Sequence, residues 1–142
     1  MNHQDEGLER PRLTLRVLSE PLAICRLPRD ATLPEWACNG DFCSMTRTPH
    51  ELSIVCPERN VPADVPSDKG WRALSSEGPL GFTLTGLVET LAEPLALAGI
   101  SIFFISTFHT DYVMVKEEEL QVAILALETA GHKVIASGQP PK

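Results

Sequence analysis

"ISIFFISTFHTDYVMVKEEEL", residues 100–120, decides the fold. Two apolar, β-rich runs stand on either side of a polar knot, Ser106 to Asp111, which reads as a strand, a turn at His109–Thr110 and a second strand. Three glutamates follow, where carboxylates favour the positive end of a starting helix. That helix runs from Lys116 to Gly131, with Leu120, Ile124 and Leu127 as its apolar stripe. "HKVIA" (132–136) closes as a further strand.

Upstream, "GWRALSSEG" (70–78) is a short strand ended by glycine. A helix follows from Thr83 or Thr85, either able to cap it. Leu84, Leu87, Val88, Leu91 and Leu95 recur at helical spacing. Pro94 predicts a bend near Ala92, and Gly99 a stop. The order β-α-β-β-α-β is the split βαβ pattern of a ferredoxin-like α+β sandwich.

The first half is a weaker copy. "LTLRV" (13–17) and "PLAICRL" (21–27) are extended runs. "TLPE" (32–35) has capping-box form and predicts a short helix at Leu33–Ala37. "DFCSMTRTPHELSIVCPE" (41–58) reads as a hairpin turning near Pro49–His50. Setting "ELSIVCPE" (51–58) on "DYVMVKEE" (111–118) suggests an internal repeat of sixty positions, with Thr46 on Ser106. Prolines such as Pro62 and Pro66 forbid a full second helix there. The expected organisation is therefore two tandem ferredoxin-like units, 1–66 and 67–136, the first with a degenerate second helix. Residues 61–69 are the expected linker; 1–10 are expected to be disordered and 137–142 a tail.

Ile102 and Phe104 point to one face of their strand, Phe103 and Ile105 to the other. A sheet with helices on one side only should alternate apolar with polar residues. This one needs cover on both faces, from the other half of the chain or a second copy, and a homodimer is the expected assembly.

Composition excludes several functions. Hydrophobic residues make up 43% and charged ones 22%, ordinary for a globular chain. A net charge of −7 without a basic cluster argues against nucleic acid. The polar, acidic start has no apolar core of a signal peptide, and no apolar run is long enough to span a bilayer, so a cytoplasmic protein without a membrane partner is expected. Cys25, Cys38, Cys43 and Cys56 form no Cys-x-x-Cys and no zinc spacing. Cys25 and Cys56, inside strand-like runs, read as structural thiols; Cys38 and Cys43 could lie closer together, but a redox role has no positive support, and no metal or cofactor is expected. Nucleophile elbow, phosphate loop and HExxH are missing. Ser106, His109 and Asp111 have triad residue types but crowd one strand-turn-strand, where they diverge. No catalytic residue is assigned, and the protein is read as no enzyme.

What remains is binding. An α-amino acid needs an anion site and a cation site a few ångströms apart. The helix start around Gly81, Phe82 and Thr83 offers unpaired N–H groups to a carboxylate. Asp111, or the hydroxyls of Ser106 and Thr107, offers charge-assisted hydrogen bonds to an ammonium. Asp111 also has the plainer reading of turn chemistry. Trp36 and Trp71 read as packing anchors, His109 as an exposed turn residue, Arg47 as an interface candidate and His132 as a cap on the helix carbonyls.

The segments "GPLGFTLTG" (78–86), "LAGISIFFISTFHTDYVMVKEE" (97–118) and "AGHKV" (130–134) resemble the ACT-domain family, in particular the tandem-ACT branch of small bacterial proteins. They are also similar to the ligand-binding repeats of the cytosolic arginine sensor of the TOR pathway. "LAICRLP", "LPEW" and "TRTPHELSIVCPE" resemble the same branch's N-terminal unit. The resemblance implies an amino-acid-binding regulatory or sensor module, with ligand held at an interface between units and a separate protein as the regulated partner. By resemblance, Gly81, Phe82, Ser106, Thr107 and Asp111 flank the ligand. The alternative is a ligand-free oligomerisation module using its apolar sheet face.

Overall fold

The computed structural model describes residues 12–76 and 84–136. Strands β1 (Thr14–Val17) and β2 (Leu22–Leu27) precede a single 3-10 turn, Glu35–Cys38. The hairpin of β3 (Ser44–Arg47) and β4 (Leu52–Pro57) leads through a second 3-10 turn, Glu58–Asn60, into the ten-residue β5 (Ser67–Ser76). Helix α1 (Leu84–Leu97), β6 (Phe103–Ser106) and β7 (Asp111–Lys116) follow. A 3-10 turn, Glu117–Glu119, then opens α2 (Leu120–Thr129), and β8 (Lys133–Ile135) is last. The expected α+β class and element order are observed. The segments expected as a disordered start, 1–10, and as a tail, 137–142, lie outside the described residues.

The eight strands form one sheet. Its first unit reads β3-β4-β2-β5, antiparallel throughout. Its second reads β6-β7-β5 and then continues through β1 to β8. Two features were not expected. Strand β5 serves both units: Ser67, Asp68 and Trp71 pair with β2, and residues 71–75 pair with β7. Of the expected 61–69 linker, Ser67–Lys69 are thus already strand. In addition, β1 lies between β5 and β8, antiparallel to one and parallel to the other.

The hairpins correct the repeat. Arg47 pairs with Leu52 and Ser106 with Asp111, so each closes a four-residue loop. In both, a threonine opens the loop 59 positions from its counterpart (Thr48, Thr107). Thr48 N–H donates to Glu51 O at 2.9 Å, and Thr107 N–H to Thr110 O at 2.8 Å. Each threonine Oγ1 accepts from the N–H of the last loop residue at 3.2 Å. The sixty-position offset followed the acids Glu51 and Asp111, whereas backbone register follows the threonines. Both hairpins also exit into a 3-10 turn, 58–60 and 117–119. Only the second extends into an α-helix. In unit one Pro62 and Pro66 send the chain into β5 instead.

The first unit's predicted helix is the single turn Glu35–Cys38, with Pro34 at its cap and no side-chain cap hydrogen bond. Thr32 therefore does not form the predicted capping box. The second unit's helices match the apolar pattern where their side chains are described. Leu91 and Leu95 of α1 are buried, and α1 continues past Pro94 to Leu97. On α2, Leu120, Ala123 and Leu127 are buried and Ile124 is half-buried. Both helices end alike: Ile100 N–H donates to Leu95 O and Gly99 N–H to Ala96 O, while His132 N–H donates to Leu127 O and Gly131 N–H to Glu128 O, all at 3.0 Å. This is the Schellman pattern. The predicted His132 cap is thus made by its backbone; its buried imidazole Nδ1 accepts from Leu13 N–H at 3.1 Å.

Both sheet faces are apolar, as expected. Val113 and Val115 pack with Leu91, Leu95 and Leu127 on the helix side, joined by Ile102 and Phe104. On the opposite face, Phe103 and Ile105 pack against a cluster of Leu22, Phe42, Val55, Trp71, Ala73 and Met114. Residues of both units make that cluster, so the chain supplies much of its own cover. Trp71 is a packing anchor, tilted on Phe103 at 6.2 Å, and Trp36 packs partly buried on unit one's core.

Candidate functional site

The β6–β7 hairpin brings three of the six sequence-derived binding residues together. Ser106 faces Asp111 across the last rung of the ladder. Its hydroxyl donates to Asp111 Oδ1 at 2.6 Å. Asp111 is only 5% exposed. Alternation along β7 puts it on the same face as Val113 and Val115, the face that α1 and α2 cover. A carboxylate is seldom buried without a partner; among the described residues Ser106 is its hydrogen-bond partner.

Thr107 has a different part. Its hydroxyl donates to Thr110 O at 3.1 Å and accepts from Thr110 N–H at 3.2 Å, so it is engaged in holding the loop. Gly81, Phe82 and Thr83 lie outside the described residues. The described chain stops before them at Ser76 and resumes at Leu84, the start of α1. Sequence reasoning missed Thr110, whose Oγ1 donates to Ser76 O at 2.6 Å and ties the hairpin loop to the end of β5. Its sequence signal was the Thr-x-His shared by 48–50 and 107–109, which aligns Thr110 with Glu51.

The remaining candidates are surface residues or braces. His109 is exposed, edge-on to the Phe108 ring at 4.9 Å. Arg47 Nη1 donates to Arg29 O, bracing unit one's own loop. In the corrected register the counterpart of Asp111 is Leu52, a buried core residue. Unit one therefore lacks the carboxylate. Glu117 lies 3.5 Å from Arg72 Nη1 across a half-exposed ion pair. Among the described residues no group of three or more His, Cys, Asp and Glu could hold a metal ion, and no helix is long and apolar enough to cross a membrane.

A family model described as an ACT domain matches residues 66–129. A second model, of an N-terminal domain, matches residues 20–64. An Agobacterium tumefaciens protein of known crystal structure is 38% identical with a TM-score of 0.86, covering 93% of this chain and 98% of that one. Residues 66–129 of the chain are therefore an ACT domain. The mouse cytosolic arginine sensor for mTORC1 subunit 1 is 38% identical over 85 residues, 54% of this chain and 26% of the sensor. The matched part of the chain thus spans about a quarter of that relative's length. The ligand-free regulatory subunit of aspartate kinase from Thermus thermophilus shares the fold at 9% identity and a TM-score of 0.59, over 86% and 98% of the two chains. The ferredoxin-like pattern accounts for the orders β3-β4-β2-β5 and β6-β7-β5, whereas β1 stands between β5 and β8 in addition to it.

Proposed function

We propose that this ACT protein is a regulatory module that binds an amino acid beside the β6–β7 hairpin, at an interface between ACT units. Asp111 receives the ammonium, with Ser106 orienting its carboxylate and Thr107 shaping the loop. The N–H groups at Gly81, Phe82 and Thr83 receive the carboxylate. The observation that carries this reading is Asp111 itself: a carboxylate buried on the helix-covered face, at the end of the sheet where β5 stops, with seven residues between that strand and α1. Its replacement by leucine in unit one confines the ammonium site to unit two. The 85-residue likeness to a protein named as an arginine sensor makes arginine the first ligand to test, and the net charge of −7 favours a cationic one.

Regulation follows as a population shift: ligand held between units favours one packing by no more than its differential affinity. The setting we propose is a cytoplasmic homodimer acting on a separate protein, without catalysis and without nucleic acid. A thermal-shift screen of the twenty amino acids tests the reading. A ligand at about a hundred times its Kd adds about 2.7 kcal/mol, which raises the Tm of a chain this size by about 8 °C. Asp111→Asn should remove that rise while the unliganded variant still melts cooperatively. Twenty flat responses at millimolar concentration would overturn the proposal, as would an undiminished rise in the variant.

A further inference from the structure

The loop joining unit one's 3-10 turn to β3 holds two thiols face to face. Cys38 ends the turn, Cys43 immediately precedes β3, and their Sγ atoms lie 3.7 Å apart. Both residues are exposed, unlike the buried Cys25 and Cys56. The return of the chain depends on Gly40, at φ +143°. A Cβ there would stand 2.7 Å from Pro57 Cγ, closer than side chains tolerate. The same loop is held from outside: Asn39 O accepts from Asn60 Nδ2 at 2.6 Å. Phe42 within it is buried and meets the Tyr112 ring of β7, in unit two, edge-on at 4.7 Å. The dithiol therefore brackets the aromatic residue that reaches across the seam between units.

We propose that Cys38 and Cys43 form a redox modification site, closed to a disulfide by exchange with a small-molecule disulfide of the glutathione type. The Cys38 thiolate attacks one sulfur of that disulfide; the S–S bond breaks and one glutathione thiolate leaves. The Cys43 thiolate then attacks the Cys38 sulfur of the mixed disulfide, and the second glutathione thiolate leaves. Each departing thiolate takes up one of the two protons the cysteines release. The protein dithiol loses two electrons, and the small disulfide gains them. Cys38 reacts first because burial, and then Cys38 itself, pushes the pKa of the Cys43 thiol up to about 11. Closing the ring limits the freedom of the segment carrying Phe42, fastening unit one to unit two. This inference is independent of the amino-acid site.

The test incubates the full chain with oxidised and reduced glutathione in graded ratios, quenches in acid, then unfolds and alkylates for peptide mass analysis. The expected product has lost two hydrogens within one chain, with Cys38 and Cys43 protected together and Cys25 and Cys56 still alkylated. Cys43→Ser should stop at a glutathione adduct on Cys38, and oxidation should raise the wild-type Tm but not that of Cys38→Ser. Full alkylation of both thiols under excess oxidised glutathione, two separate adducts in the wild type, or a disulfide between chains would each overturn it.

Discussion

Leu52 and Asp111 occupy the same rung of two matching hairpins, and they differ in the chemistry they bury. Leucine there completes a hydrophobic core; aspartate there keeps a carboxylate under the helices, at the cost of desolvation. His132 shows the same tension with the opposite charge. It is 6% exposed, and burial holds its pKa below the ordinary imidazole value, a hydrogen bond with the Thr90 backbone opposing this only in part. The unfolded chain then takes up the proton first, as pH falls through about 6.5. Stability is lost from there downward, and this residue contributes no pH dependence above about pH 7.5. His132→Asn retains an acceptor for Leu13 N–H without the titration. The wild type should therefore lose more stability than the variant between pH 7 and 5, measured by urea unfolding; equal losses would contradict this account of His132.

At the scale of elements, what the sequence could reveal was what it encodes locally. Helices α1 and α2 announced themselves by apolar spacing and by Gly99 and Gly131 at their ends, and the prolines after Asn60 marked the missing helix. Gly99 sits at φ +76°, and a Cβ added there would meet no atom within 4 Å. A Gly99→Ala change should therefore cost about 1 kcal/mol through backbone strain alone, lowering the urea midpoint without changing the slope. A variant as stable as the wild type would show that the cap tolerates a side chain. The Thr32–Glu35 capping box failed because Pro34 takes the cap position and the helix is one turn long.

For the whole molecule, pairing across distant segments decided what the sequence left hidden. Nothing local in Thr14–Val17 tells that it lies between β5 and β8, and nothing in Ser67–Ser76 tells that one strand serves two units. Asp111 was legible as a polar residue at the start of a strand. Its burial was not, because that depends on which face the helices cover. The shared strand and the mixed cluster of Leu22, Phe42, Trp71 and Met114 join the two units through one sheet and one packed face. Backbone amide NMR of the labelled chain, titrated with arginine and then the other amino acids, tests the central claim most directly. The account predicts saturable shifts centred on Ser106–Asp111 and the residues opening α1. Shifts centred elsewhere, or none at millimolar ligand, would contradict it.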